Sequence, residues 1–212
     1  PSTIMQNFAK VTTTTTDTVT GIFDSNATLF TFNPKEITVD NEDPGFRIIE
    51  SNQKNKLQSF FKKESEDKYK NLNFWMPPSR WTATIGVNYY GDYINSAVYK
   101  KSGSGSNKTE WTTQIQIPGF YEVFVYTSEL PMMGWRHRGG EEKKIQYYTV
   151  KHDDGEEEIS VETGRGRQGW RTLGSFYFSK GEAKITLSDK GSESNQIIFA
   201  DAVKWVYTNN NK

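Results

Sequence analysis

Cysteine is absent from the 212 residues. Disulfides, zinc–thiolate sites, iron–sulfur clusters and thiol catalysis are therefore excluded, while the compartment is left open. Histidine occurs only twice, at His137 and His152, so few groups titrate near neutral pH without help. Neither sign of charge predominates: 26 Lys and Arg stand against 26 Asp and Glu. Wholesale nucleic-acid binding needs an excess of cations to neutralise phosphates, and that excess is missing. No run approaches the roughly 18 consecutive apolar residues of a membrane-spanning helix. No glycine loop of the phosphate-cradling type opens a helix after a strand, and there is no nucleophile elbow, HExxH or Cys–His arrangement. Strong helix formers are scarce too, with six Leu and seven Ala.

What the chain has instead is 77 residues of Val, Ile, Thr, Tyr, Phe and Trp. These β-branched and aromatic side chains suit a pleated, half-buried surface. Residues 1–27, with the tract Thr12–Thr16, read as a linker or edge segment, a start expected of a chain cut from a larger protein. Short strands are expected at 28–32 and 36–39, then a tight turn in DNEDPGF, Asp40 to Phe46. Within 51–73 the spacing of Leu57, Phe60 and Phe61 predicts one short amphipathic helix in a polar insertion. Pro77 and Pro78 exclude a central strand there.

From residue 84 onwards strand follows strand. KKSGSGSNK reads as a flexible loop, and TEWTTQIQI buries one parity. FYEVFVYT is apolar on both parities and reads as a central strand covered on both faces. Asp154-Gly155 and Lys180-Gly181 read as hairpin turns, and 209–212 as a tail. Ten or so short strands at this spacing predict an all-β, antiparallel β-sandwich, jelly-roll-like, over 28–208.

The fragments ITVDNEDPGF, YGDYINSAVY, IPGFYEVFVY, YYTVKHDDGEE, GWRTLGSFYF and IIFADAVKWV occur in that order. Together they resemble the golvesin C-terminal-like domain, the xanthan-lyase-associated domain of secreted and surface bacterial proteins. The similarity spans roughly residues 37–207, with 51–73 as an insertion. It implies a jelly-roll sandwich attached to a larger extracytoplasmic protein (secreted, periplasmic or surface-bound) and serving as a carbohydrate-binding-like accessory module, not as the catalytic part.

The best site candidate is the long loop bearing Trp135, Arg136, His137 and Arg138. An indole with cationic neighbours can stack on a sugar ring and donate to hydroxyls or to a uronate. The alternative is a solvated loop whose Trp135 folds back over the sandwich. Arg165 and Arg167 form a second cationic loop suited to an acidic glycan, or simply a solvated tip. Tyr90, beside Tyr89 and Tyr93, belongs to a candidate stacking group. Trp111, Trp170 and Trp205 lie in strand patterns and are assigned to packing; Trp75 and Trp81 stay open. His152 is expected to hold a turn.

Asp40, Asp43 and Asp201 meet if the opening and closing strands pair, and would then suit calcium, which takes six or more oxygens. The simpler reading has Asp40 capping a turn and Asp201 bonding backbone amides, so no cofactor is expected. The function predicted is glycan binding, the ligand a polysaccharide of either neutral or acidic type. The alternative is a structural module that presents 51–73 to an envelope protein. A lyase or hydrolase is the third reading, with no acid singled out by its context.

Overall fold

The computed structural model describes residues 11–13, 19–21, 30–32, 35–50, 68–128, 144–164 and 166–208. All its strand pairings are antiparallel. Three short strands, β1 (Val11–Thr13), β2 (Val19–Gly21) and β3 (Phe30–Phe32), form a small sheet in chain order. The remaining strands are β4 (Glu36–Val39), β5 (Phe46–Ile49), β6 (Thr82–Ile85), β7 (Ser96–Lys101), β8 (Lys108–Ile115) and β9 (Gly119–Thr127), followed by β10 (Lys144–His152), β11 (Gly155–Thr163), β12 (Gly169–Phe178), β13 (Gly181–Gly191), β14 (Ile197–Ala200) and β15 (Val203–Thr208).

A five-stranded sheet runs β11-β10-β13-β8-β5, and a four-stranded sheet runs β12-β9-β15-β4. Their facing side chains make one core. Trp111, Tyr148, Val150, Ile185 and Leu187 come from the first sheet; Tyr121, Val123, Val125, Val203 and Trp205 come from the second. This is the all-β sandwich the composition predicts. The large aromatic payload of Trp111 and Trp205, each at most 1% exposed, fits their assignment to packing. Trp111 also satisfies its indole N–H on the Asp201 carbonyl at 3.1 Å. A third sheet, β14-β7-β6, gathers Tyr89, Ala97, Tyr99, Ile197 and Phe199 into a second core.

Four expectations need correction. No described residue is helical: 68–73 is irregular, 51–67 lies outside the described residues, and the short helical insertion is not borne out. The tight turn after β10 is Asp153-Asp154, because His152 pairs with Gly155. Gly155 takes the left-handed φ of 134°, and Asp153 fixes the turn by accepting from the backbone and hydroxyl of Ser179. His152 does not hold that turn; its ring lies 5.0 Å from Phe176 and its Nδ1 is buried without a partner. Lys180-Gly181 is no hairpin, since β12 belongs to one sheet and β13 to the other.

The Gly/Ser loop 102–107 is anchored around Asp189, whose backbone carbonyl accepts from Gly103 at 2.7 Å. Its carboxylate accepts from Gly105 N–H at 2.7 Å and Asn107 Nδ2 at 3.0 Å and pairs with buried Lys100. A Cβ on Gly103 would stand 2.4 Å from that carboxylate, so glycine there permits the close approach.

Candidate functional site

β9 is central in its sheet, as expected, but its two parities differ. Tyr121, Val123 and Val125 are fully buried, whereas Phe124 and Tyr126 are half-buried and Phe120 is 45% exposed. It is therefore not covered equally on both faces. The pleat sends alternate residues to opposite sides, and register extends the outward set across the sheet. Trp170 of β12 lies opposite Tyr126, Thr172 opposite Phe124, Ser175 opposite Glu122 and Tyr177 opposite Phe120. On the other flank Lys204 lies opposite Phe124 and Val206 opposite Glu122. β4 adds Thr38 beside Lys204 and Glu36 beside Val206.

The outward face is thus ordered in bands along the strands. At one end Trp170 stands edge-on to Tyr126 with centroids 5.4 Å apart. Tyr90, from the loop after β6, closes the group at 5.2 Å from Trp170 and 5.7 Å from Tyr126. Lys204 then extends its ammonium 4.6 Å from the Trp170 ring and 5.6 Å from Phe124, and meets Glu36 at 3.5 Å. Glu122 and Glu36 bring carboxylates to the middle. At the far end Phe120 and Tyr177 pair edge-on at 5.4 Å. Aromatic faces interleaved with hydroxyls, carboxylates and an ammonium make a surface that stacks on apolar ring faces and hydrogen-bonds at their edges.

Tyr90 is held from below. Its N–H reaches the Asp201 carboxyl at 3.2 Å, and Ser128 donates to the same carboxyl at 2.8 Å. Opening and closing strands do pair: Val39 lies opposite Val203, which places Asp40 and Asp201 at one end of the sandwich. Burial pushes the Asp201 carboxyl well above its usual range, against its hydrogen bonds from Ser128 and Tyr90, with Asp40 adding to the rise. Burial likewise raises Asp40 from 3.8 to about 7; the Asn41 N–H opposes this, while Asp43, Glu42 and Asp92 add to it. Asp43 accepts from the Asp40 N–H at 2.8 Å, so its carboxylate is occupied in the turn. Among the described residues no group of three or more acids or histidines is arranged to hold a metal ion. Asp40 and Asp201 are buried at this corner, and Asp43 is exposed beside Asp40 in the turn.

A carboxyl raised on folding keeps a proton that the unfolded chain has released, so stability is greatest below the unfolded value and falls as pH climbs towards 7. Linkage alone caps the Asp40 effect at about 4 kcal/mol, and solvent screening at this partly exposed turn reduces it to about 1–2 kcal/mol. Urea midpoints are expected to fall between pH 5 and pH 7.5, and Asp40→Asn to flatten that slope. A profile that rises with pH in both proteins would contradict it.

Of the residues singled out from sequence, Tyr90 joins the aromatic group. Arg167 lies at the same end: its carbonyl accepts from Thr127, its guanidinium meets Glu162 at 2.9 Å, and the adjacent Gln168 reaches the Asn88 carbonyl at 3.0 Å. Trp135, Arg136, His137, Arg138 and Arg165 lie outside the described residues. Of the flanking residues, Ser128 donates to the Asp201 carboxyl that also accepts the Tyr90 N–H, and Lys144 pairs with Thr163. Phe120, Phe124, Tyr126, Trp170 and Tyr177 were not singled out as a surface by sequence. Trp170, assigned there to packing, is half-buried on the outward face.

The family model for the golvesin C-terminal domain matches residues 72–207. None of the curated proteins matches the sequence. Among solved structures, a Paenibacillus xanthan lyase is 20% identical with a TM-score of 0.56, over 86% of this chain and 14% of the lyase. A Podospora anserina GH26-CBM35 β-(1,4)-mannanase is 10% identical with a TM-score of 0.42, over 84% of this chain and 29% of that one. The chain thus spans only a small share of either protein, and the likeness to the lyase is one of fold.

Proposed function

The chain belongs to the golvesin C-terminal domain family, and from that premise we propose that it is a non-catalytic carbohydrate-binding module of a larger secreted or cell-surface bacterial protein. The observation that carries this reading is the outward face of the β12-β9-β15-β4 sheet. Six aromatic rings (Tyr90, Phe120, Phe124, Tyr126, Trp170 and Tyr177) are kept half-buried or exposed on it, although the core lies on the other side. Aromatic residues on a solvent-facing parity are costly to leave without a partner, and contiguous exposed apolar surface of this kind marks interaction sites. A pyranose matches it, because its C–H face stacks and its hydroxyl rim finds Glu122, Glu36 and Lys204.

The non-catalytic part rests on the acids. The carboxyls with raised pKa values, Asp40 and Asp201, sit beneath Tyr90, and Asp201 is 1% exposed. They are taken up by backbone and hydroxyl donors rather than aimed at a substrate.

Isothermal titration against a panel of neutral and acidic polysaccharides tests the binding, with reducing-sugar and ultraviolet assays beside it. Saturable heat without product release is expected. Absence of heat with every glycan would remove the binding reading, and product release would overturn the non-catalytic one.

A further inference from the structure

Resting on that reading, we infer that the outward sheet face takes an internal stretch of an extended, uncharged polysaccharide, stacked at both ends of the strands, rather than an acidic glycan or a single terminal sugar. Two features carry this. The first is spacing. Tyr126 and Phe120 lie six residues apart on one strand, about 20 Å at a rise of roughly 3.3 Å per residue. Each end carries its own ring group: Trp170 and Tyr90 with Tyr126, and Tyr177 with Phe120. A mono- or disaccharide reaches one group only, whereas an oligosaccharide lying along β9 reaches both. The bands between them hold Glu122, Lys204 and Glu36, side chains that exchange hydrogen bonds with hydroxyls along the chain.

The second feature is charge. The face has two carboxylates, Glu36 and Glu122, against one ammonium, and that ammonium is already 3.5 Å from Glu36. Acids lie at the near end as well, where the Arg167 guanidinium is already paired with Glu162 at 2.9 Å. After burial, the carboxylates of Asp92, Asp40 and Glu36 are what push the Tyr90 phenol above its usual value. A polyuronate laid here meets net repulsion, whereas neutral hydroxyls donate to carboxylates in the strong, charge-assisted geometry. This narrows the ligand from the open choice of neutral or acidic polysaccharide to the neutral class.

The test titrates the chain with β-1,4-linked gluco- and manno-oligosaccharides from disaccharide to hexasaccharide, and with polygalacturonate, using wild type, Trp170→Ala and Phe120→Ala/Tyr177→Ala. Thermal unfolding confirms that each variant is folded. Affinity is expected to rise with length. The Phe120→Ala/Tyr177→Ala variant should lose tenfold or more for the hexasaccharide and little for the disaccharide, and polygalacturonate should bind more weakly than either neutral series. Equal affinity for disaccharide and hexasaccharide, or a Phe120→Ala/Tyr177→Ala variant indistinguishable from wild type, overturns the two-ended site. Tightest binding to polygalacturonate, weakening with salt, overturns the neutral assignment. Those results leave glycan binding itself standing, whereas no binding to any sugar removes both.

Discussion

Trp170→Ala is expected to weaken glycan binding at least about thirtyfold, the equivalent of about 2 kcal/mol for an aromatic anchor at the centre of its ring group. Trp170 is the common neighbour of its band: Tyr90 and Tyr126 both stand edge-on to it, and the Lys204 ammonium lies over its ring. Truncation removes the stacking plane and also frees Lys204 and Tyr90 to shift. The cost to folding is smaller, about 1–2 kcal/mol, because the indole is only half-buried and outside the core. A titration and a urea melt on one protein preparation separate the two effects. Lost binding with a near-normal midpoint supports the site; unchanged affinity argues that sugars bind elsewhere.

The second large effect concerns the fold. Lys100 and Asp189 are 3% and 0% exposed at their side chains and form an ion pair that ties β7 to β13. Burial disfavours the ionised Asp189, yet Lys100, Asn107 and the Gly105 N–H together hold its pKa below the ordinary value. Removing the ammonium by Lys100→Met leaves a carboxylate buried without its counter-charge, and a destabilisation of about 3–5 kcal/mol is expected. Lys100→Met combined with Asp189→Asn should recover part of that loss, since neither group then carries charge. Urea midpoints measure both; equal losses in the single and double variants would show that the pair contributes nothing specific.

The fold was legible because it rests on composition and alternation. Trp111 and Ile115 occupy the buried parity that their strand pattern predicts, and EITV and VKWV meet as the paired opening and closing strands β4 and β15. Sheet membership was less legible. A short turn at Ser179-Lys180 is compatible with a hairpin or with a crossing between sheets, and only the partners of β12 and β13 decide. The anchored loop 102–107 was hidden for a similar reason: Gly and Ser describe local freedom, while the order comes from Asp189, more than eighty residues away.

The candidate site was missed through the meaning given to a strand apolar on both parities. β9 has aliphatic Val123 and Val125 on the core parity and aromatic Phe120, Phe124 and Tyr126 on the other. A strand covered twice is expected to carry β-branched aliphatics on both sides, so the aromatic bias of one parity was the available clue. Trp170 and Tyr177 repeat it on β12, but the irregularity between Thr172 and Gly174 changes their relative parity, and no alternation rule connects them across it.

Nuclear magnetic resonance of the labelled chain, titrated with a neutral hexasaccharide, tests the binding face most directly. The amides of 120–126 on β9, 170–177 on β12 and 204–206 on β15 are expected to shift together with the Trp170 indole, at both ends of the strands. Shifts confined to the segments joining the sheets, with β9 and β12 silent, would contradict it.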